Sequence, residues 1–262
     1  MITNTRKVLP TTEIIQDYLL GFNMNQIADK YNCSGKGVQK LLTRNKIEKR
    51  TRSQARRQFQ FDENYFEYVD SNEKAYWLGF IAADGCITKR GNSKCLSINL
   101  QAADRCILEQ FKLDLGYEGN IYDLPIRKRN PKPQVMIRLN SELFCNHLEK
   151  YSITERKSFT IQFPNIEEQY KSHYIRGFFD GDGCISVGKY CKRVTFYSGS
   201  LDFLKSIESA MSNSLDIKPR IPRIDRKIFS LCYASNTEVA DIFQWLYKDA
   251  SFYLERKYNK FN

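Results

Sequence analysis

One twelve-residue stretch occurs twice in this chain, 98 residues apart: AYWLGFIAADGC from Ala75 and HYIRGFFDGDGC from His173. Each copy is an apolar run carrying two small residues four apart, Gly79 and Ala83 in the first and Gly177 and Gly181 in the second, and each ends on Asp-Gly. A spacing of four puts the small residues on one helix face, where two such helices can meet backbone against backbone. Gly85 and Gly183 are expected to supply the left-handed residue that ends each helix, which leaves Asp84 and Asp182 in the last turn. A carboxylate there faces the negative end of the helix dipole, at a cost of about 0.3–1 kcal/mol. Packing the two helices side by side adds mutual repulsion. A divalent cation relieves both penalties, so Asp84 and Asp182 are the candidate metal ligands.

The chain repeats itself beyond these runs. Asp104 and Asp202 are also 98 residues apart, and each follows a strand pattern and is expected to cap a helix; Ser141 and Asn236 are expected to cap another. Glu-Arg-Lys stands at 155–157 and again at 255–257. Two hairpins alternate with helices in each half, so each half reads αββαββα with an antiparallel sheet. The fold class is therefore α+β, a pseudo-twofold tandem with halves at 72–160 and 170–262 and its axis between the two apolar helices.

These two runs, Trp77 to Gly85 and Ile175 to Gly183, resemble the paired signature helices of the LAGLIDADG homing endonucleases. The second copy keeps both acidic positions of that signature, Asp180 and Asp182, whereas the first has Ala82 at the earlier one. Only the later acid is catalytic in that family, so the resemblance implies roles for Asp84 and Asp182. It further implies saddle-shaped sheets astride a DNA duplex, Mg2+ (or Mn2+) as cofactor, and a long pseudo-palindromic target bound by one copy of the chain. Lys157 and Lys257 match the basic residue beside each metal site. The likeness covers roughly residues 72–262.

Ahead of that region, residues 1–50 show three short apolar-periodic helices. The first ends at Gly21, the second opens at Asn25 and the third begins near Gly35. They resemble a helix-turn-helix of the recombinase or homeodomain-like kind, whose third helix enters a major groove and would aim Lys36, Lys40 and Arg44 at DNA. Residues 51–71 are expected to be a linker. Arg50, Arg52, Arg56 and Arg57 belong to a basic run at 45–60 that suits phosphate contacts.

A net charge of +11 over 262 residues points to a polyanionic partner, with nucleic acid ahead of an anionic membrane because no long basic amphipathic helix occurs. The hairpins concentrate that charge. Lys89, Arg90, Arg127, Arg129 and Arg138 mark the first half, and Lys189, Arg193, Arg220, Arg223 and Arg226 the second. Asn99, Gln101, Gln134 and Tyr197 are candidate base readers. No apolar run is long enough to span a bilayer. Eight cysteines without a Cys-x-x-Cys pair, beside two histidines, give no zinc pattern and suggest free thiols. The expected setting is intracellular, in cytoplasm or an organelle, with access to DNA. Metal-dependent cleavage of both DNA strands is the leading reading. An RNA-splicing maturase and a non-catalytic DNA-binding regulator use the same fold and stay open; an intein would need a splicing domain for which there is no room.

Overall fold

The computed structural model describes residues 9–50, 59–91, 93–126, 131–189 and 191–261. They divide into two compact units, Met1–Arg57 and Gln58–Asn262. Arg52, Arg56, Arg57, Arg127 and Arg129 lie outside the described residues.

The first unit contains α1 (Thr11–Leu19), α2 (Met24–Lys30) and α3 (Gly35–Arg44) around Ile14, Tyr18, Ile27, Ala28, Val38 and Leu42. α1 stops because Gly21 turns the chain at φ +107°, a conformation open to glycine. α2 opens at Asn23 rather than Asn25. The Asn23 side chain accepts from the N–H groups of Asn25 and Gln26, and Gln26 returns a bond to the Asn23 N–H. Arg50, expected on DNA, closes this unit instead. Its guanidinium donates to the carbonyls of Tyr18, Gly21 and Phe22 at 2.9, 2.7 and 2.5 Å and lies 4.3 Å over the Tyr18 ring. These carbonyls belong to the last turn of α1 and the loop that follows it, so the guanidinium ties the end of this unit back to its first helix.

In the second unit the first half runs α4 (Asn72–Asp84), β1 (Gly85–Arg90), β2 (Ser93–Gln101), α5 (Arg105–Leu115), β3 (Tyr122–Leu124), β4 (Gln134–Asn140) and α6 (Glu142–Lys150). The second half repeats it as α7 (Glu168–Asp182), β5 (Cys184–Val187), β6 (Lys192–Ser198), α8 (Leu201–Ser214), β7 (Arg223–Asp225), β8 (Ile228–Tyr233) and α9 (Asn236–Tyr247), then adds α10 (Glu255–Tyr258). The sheets are antiparallel and share one order, β1-β2-β4-β3 and β5-β6-β8-β7. This is the expected α+β tandem of two αββαββα halves.

Strand alternation sends Leu96, Ile98 and Leu100, with Val135, Ile137 and Leu139, into the core, and likewise Val194, Phe196, Leu231 and Tyr233. The core extends further toward the N-terminus than the sequence suggested. Tyr65 and Phe66 are buried, and Phe61 packs edge-on against Tyr117 and Phe144 at 5.8 and 5.4 Å. The expected 51–71 linker therefore ends by Phe59; aromatic side chains without helical period still find a core. No described helix is long and apolar enough to cross a membrane.

Several caps differ from expectation. Ser71 and Ser141 cap α4 and α6. α8 is capped by Ser200, with Asp202 in its first turn and paired to Lys205, and α9 follows Ser235, while Asn236 accepts from the Lys192 N–H. Asp104 sits at the start of α5 without capping it, because its carboxylate is taken by Arg256 from the other half at 3.0 and 3.1 Å.

α4 and α7 meet through glycine. A Cβ built on Gly79 would stand 1.9 Å from the Tyr174 carbonyl oxygen, and one on Gly177 would stand 1.9 Å from that of Tyr76. The contact is reciprocal, as a twofold crossing requires. Gly79→Ala or Gly177→Ala is therefore expected to cost at least about 3 kcal/mol in denaturant unfolding, since neither backbone can yield. An unchanged midpoint would mean that the helices do not touch backbone to backbone.

Candidate metal site and nucleic-acid interface

Both helices end on an aspartate followed by glycine, but the glycines act through space and not through backbone handedness. Gly85 and Gly183 are extended, at φ −74° and −73°. A Cβ on Gly85 would meet the Ile81 carbonyl oxygen at 2.6 Å, and one on Gly183 would meet Cδ2 of Phe179 at 2.1 Å. Each chain thus folds sharply from helix into strand over its own last turn.

The crossing brings the acidic ends together. A Cβ on Gly181 would lie 2.3 Å from that of Ala83 and 3.0 Å from Oδ2 of Asp84, so Asp84 rests against the last turn of α7, one residue from Asp182. Asp84 is half-buried and Asp182 reaches solvent. Lost hydration, then the charge of Asp182, push Asp84 up to about 6, against the opposing pull of Lys257, Lys157 and Arg256. Asp182 is likewise raised by lost hydration, with Lys157 and Lys257 opposing.

The two lysines are buried and capped onto the helix ends. Lys157 Nζ donates to the carbonyls of Gly85 and Ala83, the latter at 3.5 Å, and Lys257 Nζ donates to those of Phe179 and Gly181 at 2.6 and 2.8 Å. Each half supplies a cation to the negative end of its own signature helix. Burial lowers both amines, Lys257 to about 8.

Asp180, the acid that only the second copy carries, is buried and satisfied. It accepts from Tyr76 Oη at 3.0 Å, Tyr247 Oη at 2.8 Å and the Leu254 N–H at 2.9 Å. Beside it the buried Arg176 donates to Leu246 O at 3.1 Å, meets His173 Nδ1 at 2.6 Å and lies 4.9 Å over the Tyr76 ring. Sequence reading gave Asp180, Arg176 and Arg256 no role. The visible signal was the mismatch at the repeat offset, where Ala82 and Leu78 face Asp180 and Arg176.

Register sorts the strand residues. Cys86, Ser97 and Arg138 form one cross-strand row on the open face; Asn99 with Met136 and Tyr122, and Gln101 with Gln134, form the next two. In the second sheet Arg193 pairs with Ser186, and Tyr197 with Ser230 and Arg223. Arg90, Gln101, Arg138, Arg193 and Arg223 are exposed on this face, and Lys189 and Arg226 are exposed in the hairpin turns. Two expected DNA contacts fall elsewhere. Lys89 shares the parity of buried Ile87 and so points away from Arg90's side. Arg220 precedes β7 and pairs with Glu238 at 3.0 Å. In the first unit Lys36, Lys40 and Arg44 are exposed four apart along α3.

Raising a carboxyl pKa means that its charged form opposes folding. With Asp84 near 6 when folded and 3.8 as its ordinary value, stability falls as pH rises through that window. Asp84→Asn is therefore expected to raise the melting temperature of metal-free protein at pH 8, with the gain shrinking as pH drops below about 6. A lower melting temperature at pH 8 would contradict the crowding of the two carboxylates.

Comparison with known proteins places these features in a family. The LAGLIDADG-like domain family matches residues 71–152 and 169–243, one segment on each copy of the repeat. The ribonucleoside-diphosphate reductase NrdEB subunit alpha of Bacillus subtilis is 26% identical over 163 residues, which is 58% of this chain and 15% of that protein; its counterpart from Bacillus phage SPbeta matches equally. The chain thus spans about a seventh of the length of the curated relatives it matches. Similar solved structures include the meganuclease I-SmaMI with uncleavable DNA, at 12% identity and TM-score 0.48 over 71% of this chain and 86% of that one. Another is the LAGLIDADG homing endonuclease I-GzeII with its DNA target, at 13% identity and TM-score 0.49 over 71% and 87%. With the family match covering both signature helices and most of both sheets, this chain belongs to the LAGLIDADG-like domain family.

Proposed function

We propose that the chain is a site-specific endonuclease that hydrolyses one phosphodiester on each strand of a DNA duplex, with divalent cations held by Asp84 and Asp182. The observation that carries this reading is the meeting of two carboxylates at abutting helix ends, each pushed up in pKa by lost hydration. Each stands at the start of the first strand of a sheet with basic side chains on its open face. Carboxylates so placed need a cation partner, and the duplex backbone is the polyanion that a net charge of +11 attracts.

The donor set fits Mg2+, with Mn2+ able to replace it. Two carboxylates converge here, and among the described residues no cluster of three or more His, Cys, Asp or Glu could cage a metal. Mg2+ suits such a site because it keeps several waters and takes one or two carboxylates together with substrate phosphate oxygens. When bound, it lowers the pKa of a water nucleophile and offsets charge on the leaving 3′ oxygen. The chain's own groups do the rest. Ionised Asp84 and Asp182 fix the position of positive charge between the halves. Lys157 and Lys257 neutralise the helix ends; each ammonium uses two of its three N–H donors on carbonyls and keeps one for an anion in transition. Arg90, Arg138, Arg193 and Arg223 on the open faces contact phosphates or base edges, with Asn99, Gln101, Gln134 and Tyr197 as readers. Lys36, Lys40 and Arg44 on α3 serve the same duplex from the first unit. One copy of the chain then supplies both halves of a long pseudo-palindromic site.

The test begins with a duplex recovered from a randomised library by binding. With Mg2+ the chain is expected to cut both strands, whereas Asp84→Asn and Asp182→Asn lose cutting by at least about a thousandfold while binding changes by less than about threefold. Binding by the wild type without cutting would sink the enzymatic reading and leave the non-catalytic regulator. Preference for intron RNA over the duplex would favour the maturase.

Removing residues 1–57 takes about twelve basic groups with it. The slope of log affinity against log salt is expected to flatten by roughly 3 or more, at 0.9 per phosphate contact. A slope that does not move would place this unit off the duplex.

A further inference from the structure

We infer that Asp180 is a positioning residue that holds Lys257 at the end of α7 and makes the two cleavage centres unequal, so that one strand depends on a device the other lacks. This rests on the endonuclease reading and assigns a role to an acid that reading leaves idle.

The three donors to Asp180 come from three places: Tyr76 on α4, Tyr247 on α9 and the N–H of Leu254, the residue just before α10. Lys257 stands three residues past Leu254, on the one turn that Asp180 anchors, and its ammonium bonds the carbonyls of Phe179 and Gly181 on either side of Asp180. The backbone of Asp180's own turn and its carboxylate therefore grip the same segment at two points. The rings of Tyr247, Tyr253 and Tyr258, which flank that segment in the chain, pack against one another with centroids 4.1 to 5.8 Å apart.

The first half has no such grip. Ala82 occupies the matching position and cannot accept a hydrogen bond. Lys157 lies in a short 3-10 turn after Arg156 at φ 60°, and among the described residues its ammonium bonds the carbonyls of Ala83 and Gly85. Misplacement by about 1 Å of a group near the reacting atoms can cost roughly a hundredfold, so loosening Lys257 alone should fall on one strand alone.

Three variants, Asp180→Ala, Asp180→Asn and Tyr247→Phe, are compared with wild type on a supercoiled plasmid carrying the library-derived site, which reports nicking, and on a linear duplex of that site with one or the other strand end-labelled. Asp180→Ala is expected to slow one strand by roughly ten- to a hundredfold and the other by less than about twofold, so nicked circle accumulates. Asp180→Asn, which keeps an acceptor for Leu254, restores most of the loss. Tyr247→Phe, which keeps the core filled, gives the same bias to a smaller degree and decides the matter if the alanine variant does not fold. In parallel, acylation by an amine-directed reagent is read by peptide mass for Lys257 against Lys157, both buried in the wild type. Lys257 alone should become more reactive. Equal slowing of both strands, or equal reactivity of the two lysines, would overturn the inference. Should the wild type cut neither strand, the function proposed above fails, and lysine reactivity alone then decides for or against the role of Asp180.

Discussion

Everything in the larger unit hangs on two carbonyl oxygens that occupy the space where side chains would be. Tyr174 O sits over Gly79 and Tyr76 O over Gly177. At that separation the helices have no freedom to slide or rotate, because any residue larger than glycine overlaps a backbone atom. The crossing fixes where both helices end, and the sheets start from those ends. Sheet placement and the meeting of the carboxylates are thus set by one close approach.

The same approach creates an electrostatic debt at the helix ends. Two helix C-termini, each carrying an aspartate, converge on one spot, and lost hydration raises both acids. The fold answers with Lys157 and Lys257, each capped onto the carbonyls of its own half. Further compensation is lopsided. Arg256 crosses to Asp104 of the first half, and the ring of donors around Asp180 exists only in the second. A duplicated architecture has therefore been filled with unequal side chains. That difference lies in the interior, where each replacement must satisfy its own hydrogen bonds.

What the sequence displayed well was whatever depends on small residues and short range. Gly79 and Gly177 read correctly as a helix crossing because the absence of a side chain is visible in the letters. The αββαββα order followed from period and turn chemistry, as did Ser141 as a cap. Failures came where a long side chain chose a distant partner. Arg50 turned to carbonyls some 30 residues back, Arg220 to Glu238, and Asp104 to an arginine 152 residues on. The partners of Asp180 lie 67, 74 and 104 residues away, beyond any local pattern. Gly85 and Gly183 were placed at the right positions for the wrong reason: clash with the preceding turn, not positive φ, demands them. Lys89 and Arg90 could not both face one side of a strand, a constraint that became usable only with the register in hand.

The central claim is that cations sit between Asp84 and Asp182 against a nucleic-acid backbone. Anomalous scattering from Mn2+ in crystals of the protein with an uncleaved duplex addresses it directly. The account predicts density about 2 Å from a carboxylate oxygen of each aspartate and from a phosphate oxygen. Metal density found only elsewhere, with those carboxylates bonded to protein donors alone, would contradict it.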